Sequence, residues 1–178
     1  MNPAQGLLPV ERFAKTLHIV WSEGGHLSYS WHRLFPGPID ALWISALAKA
    51  PEAAERMDAF VSRFGRMQDT IADKLLPRWL QALAEQPGSQ IDTLNRAEQL
   101  EVVSNVGNWL EARKLRNRLV HEYMEDPEEF AEGLNLAGRH SLMLFDTYNR
   151  VRNFAQHRMG LGEASLPALL ELPASLHA

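Results

Sequence analysis

Hydrophobic residues recur at intervals of three and four along most of this chain, which is the spacing of one face of an α-helix. The first such stripe lies within residues 7–35, and its members are Leu7, Val10, Phe13, Leu17, Val20 and Trp21. Gly24-Gly25 is expected to break or bend this helix, and Pro36-Gly37-Pro38 is expected to form the loop that follows it.

A second stripe predicts a long helix from residue 51 to about residue 85. Its members are Phe60, Phe64, Met67, Ile71, Leu75 and Trp79. Proline suits the first turn of a helix, so Pro51 marks the start, whereas Pro77 is expected to kink or shorten the helix. A short helix capped by Asp40 is predicted to precede it and to run to about residue 50.

The remainder of the chain also has a helical pattern. Asp92 or Thr93 is predicted to start a helix, with a break around Gly107 before a further helix over residues 109–123. Asp126, followed by a proline and two glutamates, is typical of a helix N-cap. The helix that it starts is predicted to reach about residue 156.

No segment alternates in the manner of a strand, so we predict an all-α, up-and-down bundle of four to five main helices. Residues 1–160 are predicted to form one domain. The tail, residues 161–178, carries glycine, proline and serine with only short apolar stretches, and we expect it to be loose or draped on the surface. The five tryptophans are expected in the core or in a dimer interface.

The composition is that of a soluble globular protein, with 178 residues, of which 46% are hydrophobic and 22% are charged. The chain has no cysteine, which excludes disulfides, a thiolate nucleophile and a cysteine zinc site. No apolar run approaches the roughly 18 residues that span a bilayer, and the N-terminus lacks a signal-peptide pattern. We therefore predict a cytoplasmic protein without membrane contact.

The net charge of −4 argues against a protein that binds nucleic acid over its whole surface. However, one local cluster is basic. Its members are Arg113, Lys114, Arg116 and Arg118, and an acidic run at residues 125–132 follows it. This segregation predicts a local RNA-binding patch.

Three residues of this region have the chemistry to cleave a phosphodiester without a metal. Arg116 is suited to hold a phosphate through charge-assisted hydrogen bonds, and His121 is suited to move a proton near neutral pH. Asn117 precedes His121 by four residues, so its amide can orient the imidazole. In RNA the ribose 2′-OH would be the internal nucleophile.

The spacing of Arg116 and His121 places a geometrical demand on this site. Five residues correspond to roughly 140° around a regular helix, so the two side chains would not face one small phosphate. Either the helix ends near His121, or the site lies in a cleft between two copies of the chain. Arg66 and Asp69, on the preceding long helix, are candidate contributors to the same site.

The pattern Arg116, four residues, His121, one residue, Tyr123 resembles the signature of HEPN-domain proteins, most closely the HepT toxins. Residues 63–69 resemble an earlier helix of that family. The resemblance covers residues 55–157 and leaves residues 1–50 as an N-terminal helical extension.

The resemblance implies a homodimeric, metal-independent endoribonuclease without a cofactor, with Arg116 and His121 as catalytic residues in the cleft between subunits. It also implies a nucleotidyltransferase-type antitoxin that adenylylates Tyr123. The same fold serves as a non-catalytic, nucleotide- or substrate-binding partner subunit of nucleotidyltransferases, and this remains the alternative function.

Purely structural roles remain open for these residues. In that alternative, Arg116 and Arg118 are surface cations paired with Glu111 or Glu122, His121 is a capping or buried histidine, and Tyr123 is a packed ring. His18, His26 and His32 are eight and six residues apart, which matches no common metal-binding spacing, so no metal site is predicted.

Overall fold

A computed structural model describes residues 6–121, of which His121 is described by its backbone only, and residues 125–173. Within these ranges the chain forms helices and loops without any strand, which confirms the all-α prediction. The α-helices are α1 (Pro9–Leu34), α2 (Ala41–Ala46), α3 (Pro51–Thr70), α4 (Leu76–Ala82), α5 (Gln90–Gln99), α6 (Val106–His121) and α7 (Pro127–His157). Short 3-10 turns cover Leu47–Lys49 and Glu163–Ser165, and a π turn covers Ile71–Leu75.

Helix α1 passes through Gly24-Gly25 without interruption, so the predicted break is wrong. Gly24 is buried, and a Cβ at this position would lie 2.4 Å from Cδ1 of Leu170. The glycine therefore permits the C-terminal segment to pack closely against the helix. Because this contact joins residues far apart in sequence, the local pattern could not distinguish it from a helix break.

The π turn between α3 and α4 lies directly before Pro77. Proline has no N–H to donate to the carbonyl four residues earlier, and its ring collides with that carbonyl in a regular helix. A π turn is a common accommodation for a local disturbance of this kind. Helix α4 then ends at Ala82, about three residues earlier than expected, and Ala84 adopts a left-handed conformation with φ 59°.

Helix α5 begins two to three residues before the predicted start. Ser89 is its N-cap: the Ser89 Oγ accepts from the backbone N–H of Asp92 at 3.2 Å. An oxygen of the Asp92 carboxylate accepts in return from the backbone N–H of Ser89 at 3.1 Å. Asp92 is therefore the third residue of the helix, where it completes a capping box.

The break before α6 lies at residues 100–105, so Gly107 is inside the helix and the predicted break around it is displaced. The carboxylate of Glu98 accepts from the backbone N–H of Val106 at 2.7 Å and satisfies one of the free donors of the first turn. The predicted N-cap of α7 is confirmed, since Oδ1 of Asp126 accepts from the backbone N–H of Glu128 at 2.9 Å.

The core lies between α1, α3 and α7, with α6 packed against α3 and α7. Trp79 and Trp109 are fully buried within it. Trp31 is also buried, and its indole N–H donates to the carbonyl of Gly138 on α7 at 3.0 Å. Trp21, by contrast, is 41% exposed, so it is not part of the core.

The described part of the tail is draped over α7. The hydroxyl of Tyr148 donates to the carbonyl of Ala168 at 2.8 Å, and the Arg152 Nε donates to the carbonyl of Pro167 at 3.0 Å. The side chain of Asn149 exchanges two hydrogen bonds with the backbone of Leu170. Side chains of α7 thus provide hydrogen-bond partners for the backbone N–H and C=O groups of an extended segment that makes few hydrogen bonds of its own.

Candidate functional site

Helix α6 carries the arginine of the motif and directs its side chain onto α3. The Nη2 of Arg116 donates to Oδ2 of Asp69 at 2.6 Å, and its Nη1 donates to Oδ1 of Asn117 at 3.1 Å. Asp69 is one of the two residues proposed from the sequence to contribute from the preceding long helix. The structure brings it into direct contact with Arg116.

Gly65 explains why Arg116 can lie so close to α3. A Cβ at this position would lie 2.9 Å from the Nε and 3.3 Å from the Cγ of Arg116. The Nε itself is buried and has no hydrogen-bond partner among the described residues. Glycine inside a helix costs about 1 kcal/mol relative to alanine. The motif does not account for a glycine at position 65, whereas the close contact with Arg116 does.

A cleft of about 380 Å³ opens beside Arg116, between α3, α6 and the start of α7. Val61, Leu119 and Phe130 give it apolar walls, and Asp58 adds a carboxylate. The lining extends along α6 from Arg116 to Val120, which immediately precedes His121 in the chain. The cleft thus combines an apolar surface with one guanidinium group.

The ion pair between Arg116 and Asp69 is accessible to solvent. The side chain of Arg116 is 27% exposed and that of Asp69 is 48% exposed. Pairs with this degree of exposure contribute at most about 1 kcal/mol to stability. The two hydrogen bonds of Arg116 use two of the five guanidinium N–H groups. The pair therefore orients the arginine while N–H donors remain for an anion.

Among the described side chains, Asn117 contacts Arg116. It was predicted to orient His121, whereas its amide oxygen accepts from Arg116. The side chain of His121 and the whole of Tyr123 lie outside the described residues, so their contacts stay predictions. Helix α6 is described as far as His121, and the next three residues lie outside the described ranges. Both arrangements of the motif, a helix that ends near His121 and a cleft between two copies, therefore stay predictions.

Arg66, the other predicted contributor from α3, lines a separate pocket of about 280 Å³ between α1 and α3. Glu23, His26 and Arg63 line the same pocket. The carboxylate of Glu23 accepts from the hydroxyl of Thr70 at 3.0 Å, and burial raises its pKa. The structure thus does not bring Arg66 into the cleft beside Arg116.

The predicted RNA-binding residues do not share one surface. Arg113 donates to Gln90 on the α5 side, whereas Arg118 forms an ion pair with Glu129 of α7. Lys114 is exposed. Successive helical residues turn by about 100°, so this cluster in the sequence is distributed around α6.

The histidines that invited a metal interpretation make other contacts. The Nε2 of His18 lies 3.2 Å from the carbonyl of Ser165, and the Nδ1 of His32 lies 2.8 Å from that of Ser28. No cluster of three or more metal-binding side chains occurs among the residues that the structure describes. Over the same ranges, no helix is both long enough and apolar enough to cross a bilayer.

No family model, curated protein or solved structure matches this chain. The resemblance to HEPN-domain proteins therefore rests on the motif and on the order of the helices.

Proposed function

We propose that this protein is a metal-independent endoribonuclease of the HEPN type, which acts as the toxin of a toxin–antitoxin pair. Arg116 and His121 are its catalytic residues. The main support is the geometry of Arg116: two hydrogen bonds hold its guanidinium at the edge of a cleft whose lining leads towards His121. A positioned, partly buried guanidinium is the group that phosphoryl chemistry requires.

In the proposed reaction, the ribose 2′-oxygen attacks the adjacent phosphorus and the bond from phosphorus to the 5′-oxygen breaks. The products are a 2′,3′-cyclic phosphate and a free 5′-hydroxyl. His121 takes the proton from the 2′-OH or gives one to the leaving oxygen. Arg116 stabilises the negative charge that grows on the non-bridging oxygens, and Asn117 and Asp69 hold it in place.

We further propose that the enzyme acts as a homodimer. A second copy would bring the His121 of one chain towards the Arg116 of the other, which removes the difficulty of their five-residue spacing. Val120 is 50% exposed and Phe130 is half-buried at the same cleft, so an apolar rim is available for such a contact. Tyr123, two residues beyond His121 in the sequence, would be the residue that a nucleotidyltransferase antitoxin modifies.

The test is cleavage of a single-stranded RNA by the purified protein in the presence of a metal chelator. We expect His121→Ala to lower the rate about 100-fold or more, because general acid–base catalysis is lost. His157→Ala, at an exposed position near the end of α7, is the matched control and should retain full activity. A 2′-deoxy substrate should resist cleavage. Equal rates for wild type and His121→Ala would exclude His121 as the catalyst.

A second candidate function is a non-catalytic subunit that binds a nucleotide for a nucleotidyltransferase. The apolar walls of the cleft, next to the guanidinium of Arg116, would suit a base and its phosphate. Calorimetry with AMP would then detect binding that Arg116→Ala weakens, whereas no RNA would be cleaved. Cleavage that depends on both Arg116 and His121 would rule this candidate out.

A further inference from the structure

A second basic pocket lies between α1 and α3, away from the residues that line the Arg116 cleft. Its volume is about 550 Å³, and three arginines line it. These are Arg33 on α1, and Arg56 and Arg63 on α3. Arg56 and Arg63 lie two turns apart on α3, and the packing of α1 against α3 brings Arg33 beside them.

Two of the three guanidinium groups are held in place by uncharged partners. The Nη1 of Arg63 donates to the hydroxyl of Ser30 at 2.7 Å and to the carbonyl of His26 at 3.2 Å. The Nη1 of Arg33 donates to the hydroxyl of Tyr29 at 2.9 Å, and its guanidinium carbon lies 5.6 Å from the centre of that ring. Both cations are therefore oriented without being neutralised.

The charge of these arginines is not balanced by ion pairs. Within the described residues, none of Arg33, Arg56 and Arg63 forms a salt bridge. The arginines that do form such pairs include Arg96 and Arg150. Arg56 also has a buried Nε that donates to no described acceptor. Three cations that share one pocket repel one another, and an anion between them would relieve that repulsion.

We propose that Arg33, Arg56 and Arg63 form a binding site for one phosphate group, supplied either by a free nucleotide or by an RNA strand. Glu52 and Glu55 also line the pocket, so three positive charges face two negative ones and the balance suits a single phosphate. Tyr29 is 59% exposed beside it, which offers an aromatic ring to an adjoining base. The site does not depend on cleavage at Arg116.

The test is a calorimetric titration of the full chain with AMP and, separately, with a short 2′-O-methyl oligonucleotide that cannot be cleaved through its 2′-oxygen. The double variant Arg56→Gln/Arg63→Gln should bind at least about tenfold more weakly, since two charge-assisted hydrogen bonds are lost. Arg139→Gln removes the same charge from an exposed position on α7 and should change the affinity by less than about twofold. The ligand that shows this pattern identifies the source of the phosphate.

A further variant separates binding from damage to the fold. Glu55→Gln removes a negative charge from the pocket and should tighten binding of the same ligand, which a misfolded variant would not do. Raised salt should weaken binding to wild type. Failure of wild type to bind either ligand, or equal affinities in wild type and the double variant, would overturn the proposal.

Discussion

The substitution Gly65→Ala should move the side chain of Arg116 while the free energy of unfolding changes little. The new Cβ would lie 2.9 Å from the Nε and 3.3 Å from the Cγ of Arg116, which is too close for either atom to stay in place. The backbone of α3 is fixed by its packing on α1, whereas Arg116 is a flexible side chain. We therefore expect the arginine to move away and to lose its hydrogen bond with Asp69.

The free energy of unfolding should change little. Alanine is favoured over glycine inside a helix by about 1 kcal/mol. The lost ion pair of Arg116 and Asp69 is partly exposed and contributes at most about 1 kcal/mol. These two effects nearly cancel. The effect on catalysis should be much larger, because removing one positioned transition-state donor typically costs about 100- to 1,000-fold in rate.

The assay is RNA cleavage, measured together with thermal unfolding of the same samples. Gly25→Ala is the matched control, since Gly25 also lies within a helix and a Cβ there would have no neighbour within 4 Å. We expect that variant to gain stability and to keep full activity. Cleavage by Gly65→Ala at the wild-type rate would refute the proposed role of Arg116.

Further predictions concern stability. Burial raises the pKa of Glu23 above 4.5, so the ionisation of this carboxyl lowers the free energy of unfolding as pH rises from that value, and Glu23→Gln should remove this contribution in chemical denaturation at several pH values. Burial lowers the pKa of His140 below 6.5, so stability falls as pH drops from that value, and His140→Gln should flatten the decline in the same assay. Leu170→Ala should lower the free energy of unfolding by about 2 kcal/mol in urea denaturation, because Leu170 packs on α1. The control Leu172→Ala, at a 54% exposed position, should lower it by less than about 0.5 kcal/mol.

The helices were predictable because their signals are local. The stripe of α3 recurs at fixed spacing, and the N-cap at Asp126 lies next to the proline and acids that it accompanies. Helix boundaries were less accurate. Ser89 rather than Asp92 caps α5, because a capping box places its aspartate three residues inside the helix.

The two close approaches of the fold could not be predicted from local pattern. Gly24 permits contact with Leu170, and Gly65 permits contact with Arg116. In each case the partner is far away in sequence, and a glycine in a helical pattern indicates a break as readily as a close contact. The contact of Asp69 with Arg116 was anticipated only as one option.

The contacts of the basic cluster were not predictable from its sequence. Arg113, Arg116 and Arg118 lie within six residues of the sequence, and this proximity suggested one RNA-binding patch. In the structure their side chains contact Gln90 of α5, Asp69 of α3 and Glu129 of α7, respectively. The pocket formed by Arg33, Arg56 and Arg63 was also not predicted, because the position of Arg33 depends on how α1 packs against α3.

The most direct test of the proposed function is the rate of RNA cleavage by Arg116→Ala in the presence of a chelator. The account predicts that wild type cleaves RNA under these conditions and that Arg116→Ala is slower by about 100-fold or more. Arg139→Ala, at an exposed position on α7, should match wild type. A wild-type protein without activity, or an Arg116→Ala variant as active as wild type, would contradict the account.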